Sequence, residues 1–145
     1  MTRVVLSGAE VFDGTGRAPF VGDIAIENGR IAEVGSGLSG DEVRDVSGKL
    51  ITPGLIDSHA HALFNGMDVV KTQQQPFSLQ FFEAGRNLKT ILDSGVTTMR
   101  DAGGIDLGVK TAVEQGLIEG PRLKIAVTVL SQTGGHVDGW NVHGD

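Results

Sequence analysis

From Leu55 onward strand-like and helix-like runs alternate, and that alternation constrains this chain more than any other feature. The predicted order is strand 55–61, helix 79–94, strand 96–101, helix 107–119 and strand 123–131. Strands separated by crossover helices run parallel. The stretch from Lys124 to Leu130 is almost entirely apolar or β-branched, the pattern of a strand covered on both faces. In the first helix Phe81, Ala84, Leu88 and Ile91/Leu92 recur at helical spacing, with Ser78 placed to cap the start and Gly95 at the C′ position. Gly120-Pro121 predicts the end of the second. Residues 53–145 therefore read as an α/β sheet or a piece of a barrel.

Ahead of Pro53 the grammar is different. Short alternating runs at 4–6, 23–27, 30–34 and 42–46 predict a small antiparallel sheet over residues 1–52, and Asn28-Gly29 between two of them is a strong hairpin signal. The chain has 145 residues, 39% of them apolar and 21% charged, which suits a folded domain. A formal net charge of −6 argues against nucleic acid or an anionic membrane as partner, because both favour a basic face. With no cysteine, a metal site has to be built from imidazole and carboxylate. No signal-peptide pattern is present and no apolar run reaches the roughly 18 residues of a spanning helix, so the expected location is the cytoplasm.

The strand at 55–61 carries an anomaly. Two of the four histidines of the chain, His59 and His61, fall one residue apart in it. Alternate side chains of a strand share a face, so Leu55, Asp57, His59 and His61 point one way, and the two imidazoles stand about 7 Å apart along the strand. Neutral imidazole is a common zinc ligand, and in parallel βα folds ligand sites gather at the carboxyl ends of the strands. Asp57, one pleat below, is placed either as an acceptor behind the two rings or to bind nothing. The plain alternative for an isolated H-x-H is a pair of hydrogen-bonded core or surface histidines.

Three stretches together carry a resemblance: ITPGLIDSHAH at 51–61, GVTTMRDAGG at 95–104 and SQTGGH at 131–136. They resemble the metal-dependent amidohydrolase superfamily, and within it the branch of Xaa-Pro dipeptidase-like, metallocarboxypeptidase and imidazolonepropionase-like enzymes. The resemblance implies a mixed sheet, part of a β-sandwich, beside a TIM-type (β/α)8 barrel whose first three β/α units fall in this chain. It further implies His59 and His61 as ligands of one or two divalent ions, often zinc, completed by a carboxylated lysine, two further histidines and an aspartate from later strands. Water activated by the metal would then attack an amide carbonyl of a small or peptide-like substrate. By the same likeness His136 meets the substrate's carboxylate, and an oligomer is expected.

A complete barrel takes about 250 residues, and three strands cannot close. The expectation is therefore a piece of such a hydrolase, inactive alone, with the rest of the barrel supplied by the same or another chain. Arg100 and Asp101 end the second strand on opposite faces, Asp101 being expected to cap the amides of Gly103 and Gly104 rather than to hold the ion. No serine lies in G-x-S-x-G, and Gly103-Gly104 is too sparse for a phosphate cradle. Trp140 and Phe64 are candidates to line a pocket, with plain packing the alternative, and His143, near the end of the sequence, is expected to have no role. Three functions remain open: cleavage of a peptide or amide bond, ring opening of a cyclic amide or deamination by the same H-x-H, and a non-catalytic interaction module derived from the fold.

Overall fold

The computed structural model describes residues 2–64, 66 and 74–135. It divides into two compact units, Met1–Pro53 and Gly54–Asp145.

The first unit is one sheet. Its strands are β1 (Arg3–Val11), β2 (Phe20–Glu27), β3 (Arg30–Gly35), β4 (Glu42–Asp45) and β5 (Leu50–Ile51), in the order β3-β2-β1-β4, with β5 also paired to β1. The hairpin joining β2 to β3 turns at Asn28 (φ 52°) and Gly29 (φ 69°), the left-handed pair that matches strand twist. The expected all-antiparallel sheet is corrected here. β1 runs antiparallel to β2 but parallel to both β4 and β5. The chain leaves β3 on the far side of the sheet and crosses to the free edge of β1, where β4 pairs. Between Leu6 and Ala9 the register of β1 shifts, and Gly8 at that shift has φ 76° and donates its amide to Asp23 Oδ1 at 2.9 Å. Ala9, Val11 and Ile24 form the buried centre, with Ile26, Val46 and Ile51 packed against them.

The second unit is the parallel series. It consists of β6 (Leu55–Ala60), α1 (Leu79–Asp93), β7 (Val96–Asp101), α2 (Leu107–Glu114) and β8 (Arg122–Ile125), with the sheet order β6-β7-β8 and both pairings parallel. Ala62, Ala84, Leu88, Met99, Ile105, Val109 and Leu123 make its core. Gly54 lets β6 begin hard against β7, since a Cβ there would overlap the Thr97 side chain.

Three boundaries differ from expectation. Ser78 precedes α1 but its hydroxyl makes no cap bond. Helix α2 stops at Glu114 because Gly116 takes φ 70°, well before Gly120-Pro121, and its start is capped by Asp106, whose carboxylate accepts from the Val109 amide. The third strand ends at Ile125 instead of running to residue 131. Val127 turns the chain with φ 65°, the Thr128 amide donating to Ala126 O at 2.7 Å and the Gly104 amide to Val127 O at 3.1 Å. Neither described helix is long and apolar enough to cross a membrane.

Candidate metal centre

His59 lies near the carboxyl end of β6 and His61 just beyond it. Their ring centroids are 5.3 Å apart with the planes at 70°. His61 Nδ1 lies 2.8 Å from the carbonyl oxygen of Gly103, in the loop after β7. A carbonyl can only accept, so this bond requires Nδ1–H and leaves His61 Nε2 as the lone-pair nitrogen. The Phe64 ring stands 5.3 Å from the other side of His61. His59 is the more exposed of the pair.

The carboxylates behind the pair act on backbone. Asp57 Oδ1 accepts the amide of His59 at 3.0 Å, which pins the strand where the first imidazole leaves it. Asp101 is fully buried and accepts the amides of Ala62 at 2.9 Å and Gly103 at 3.0 Å. Of the two glycines expected to donate to it, only Gly103 does, because the Gly104 amide serves Val127. Arg100, on the opposite face, donates Nε to Ser58 O at 2.6 Å and straps β7 to β6 one residue before His59. A recess of about 490 Å³ at the ends of β7 and β8 is lined by Arg100, Ala102, Ala126, Thr128, Val129 and Leu130. His136, expected to meet the substrate, lies outside the described residues, as do Trp140 and His143.

The separation of the two rings is compatible with a shared cation. Zinc–nitrogen bonds of about 2.0–2.1 Å plus the radius of an imidazole put each ring centre roughly 3.2 Å from a common ion, so centres at the observed separation subtend about 110°, near the tetrahedral angle. Among the described residues no group of three or more histidine, aspartate or glutamate side chains is placed to hold an ion. The Gly103 carbonyl and the Asp101 bond to Ala62 were not legible as partners of His61, because a backbone group has no signature of its own. The positive φ of Gly103 and Gly104 (146° and 124°) is their only trace, in the choice of glycine.

A parallel β-α-β-α-β sheet with paired imidazoles where its first strand ends defines an α/β protein with a candidate site at that strand end. The chain belongs to the amidohydrolase family, whose model matches residues 50–143. It is similar to the protein LONG AFTER FAR-RED 3 of Arabidopsis thaliana, 32% identical over 99 residues, and to dihydroorotase of Geobacter metallireducens, 43% identical over 62. These matches cover 59% and 41% of this chain but only 17% and 15% of the relatives. Among solved structures it resembles a prolidase complexed with N-methylphosphonate-L-proline, at 37% identity and a TM-score of 0.84, over 93% of this chain and 34% of that one. The resemblance carried by residues 51–61, 95–104 and 131–136 is borne out at the level of the family and its prolidase-like branch.

Proposed function

We propose that residues 53–145 form the opening β/α units of a (β/α)8 barrel, that residues 1–52 belong to an accompanying β-sandwich, and that His59 and His61 are two ligands of a divalent cation, zinc first among candidates. The carrying observation is the spacing of the two rings together with the bond from His61 Nδ1 to Gly103, which leaves Nε2 free of that bond and supports its reading as a ligand. The remaining ligands come from polypeptide outside the described residues, on this chain or another. When bound, the cation supplies a water of lowered pKa and a polarised carbonyl for hydrolysis of an amide C–N bond. The chain's own part is to hold that cation at the strand end, with Asp57 fixing the backbone beneath one ligand and Gly103 orienting the other. His136 binds the substrate's carboxylate.

The substrate class is a small peptide with a C-terminal carboxylate, a reading supported by the likeness to a prolidase over nearly the whole chain. A second reading, ring opening of a cyclic amide, is supported by the likeness to dihydroorotase over 62 residues. The test takes the assembly that carries the later strands and compares it with its His59→Ala/His61→Ala variant. Loss of bound zinc and of turnover, with unchanged circular dichroism, is expected. Full turnover in the double variant contradicts the proposal. Hydrolysis of Xaa-Pro dipeptides rather than of a dihydropyrimidine ring separates the two readings.

A further inference from the structure

Around His61 three bonds form a closed path, and all of it passes through one carboxylate. Asp101 is the last residue of β7 and is 0% exposed. Its Oδ2 accepts the amide of Ala62, the residue that follows His61, and its Oδ1 accepts the amide of Gly103, the residue whose carbonyl receives the His61 ring. A turn-capping aspartate satisfies amides of its own loop. This one reaches across to a second loop as well, and it fixes both the backbone that carries the ring and the acceptor that orients it. Gly103 is held further by shape, since at φ 146° a Cβ there would run into the Val129 side chain. The carboxylate oxygens are both engaged, as a buried acid requires.

The geometry points to Asp101 as a positioning residue for the His61 ligand: it locks the ring in the Nδ1–H tautomer and so keeps Nε2 available to the cation, although it touches neither the ring nor the ion. This rests on the reading of His59 and His61 as metal ligands. Such groups behind a ligand typically change metal affinity by about 10- to 100-fold when removed.

The test is made on the metal-free assembly that carries the later strands, with the 145 residues isotope-labelled, where long-range ¹H–¹⁵N correlation reads the tautomer of each histidine. The His61 ring is expected as Nδ1–H, and the amides of Ala62 and Gly103 are expected to exchange slowly. Asp101→Asn keeps the side-chain volume but turns an NH₂ toward one of the two amides. In that variant His61 is expected to shift toward the Nε2–H form, and zinc affinity, measured by competition with a chromophoric chelator, to fall about 10- to 100-fold. Leu88→Ala, which weakens the core of the same unit, is expected to lower Tm without moving the tautomer. The inference is overturned if Asp101→Asn retains Nδ1–H and full zinc affinity. Should that variant not fold, a wild-type His61 found as Nε2–H overturns it equally. A wild-type ring held as Nδ1–H in an assembly with the later strands that takes up no zinc contradicts the proposed function while supporting the positioning role.

Discussion

Asp23 shows how one side chain can hold a sheet's irregularity in place. Its carboxylate accepts the amides of Gly8 and Leu38 at 2.9 and 3.0 Å, so it fastens both the register shift of β1 and the loop after β3. Those bonds, the Gly8 amide first, then the Leu38 amide and the Ser7 hydroxyl, hold its carboxyl below the ordinary 3.8. A carboxyl depressed in the folded state stabilises the fold above its unfolded value, and that contribution is lost as pH falls through the lower folded value. Acid unfolding followed by circular dichroism is expected to show this below about pH 4. Asp23→Asn should be less stable at pH 7 and lose less on going from pH 5 to pH 2, whereas parallel acid curves for the two proteins contradict the assignment. Gly54 makes a second residue-scale case. Gly54→Ala is expected to cost about 1–3 kcal/mol through overlap with Thr97. Adding Thr97→Gly should restore part of that loss in denaturant melts, and no recovery in the double variant counts against the contact.

Among the elements, what was legible in the sequence was whatever is decided locally. Asn28-Gly29 forces its turn through its own φ angles, and the recurrence of Ala84 and Leu88 marks the buried face of α1. β7 falls at the expected 96–101 for the same reason, with Gly95 (φ 94°) before it. The partners of β1 were not legible by pattern, because alternation reports which face is buried and not which strand lies alongside. The end of β8 was hidden more deeply. Residues 124–130 look like continuous strand, yet Val127 is turned over by bonds to Gly104 and within 126–128, tertiary contacts that outweigh β-propensity. A β-branched residue at φ 65° is strained by about 1–3 kcal/mol. Val127→Gly is therefore expected to leave stability unchanged or raise it by up to about 1 kcal/mol, where the same change inside a regular strand would lower it. A clear loss of Tm contradicts the turn. At the candidate site the nearness of the two histidines was legible from their spacing, but the bonds that aim His61 were not, since they run to backbone.

At the scale of the molecule the parallel sheet is short of partners. Among the described residues the outer edges of β6 and β8 pair with no further strand, and apolar side chains stand in solvent, Ile56 at 73% and Leu130 at 93% exposure. Open edges beside bare apolar surface favour association with another strand. The 145-residue chain by itself is expected to bind a hydrophobic dye and to sediment as concentration-dependent oligomers. Polypeptide carrying the later barrel strands should suppress both. A monodisperse, dye-silent monomer at high concentration contradicts the incomplete-sheet account.

The central claim is that His59 and His61 together hold one cation, and X-ray absorption at the zinc edge tests it most directly. The zinc-loaded assembly is expected to show imidazole nitrogen at about 2.0–2.1 Å, a signal lost in the His59→Ala/His61→Ala variant. A spectrum of oxygen ligands only, or one that the double substitution leaves unchanged, contradicts it.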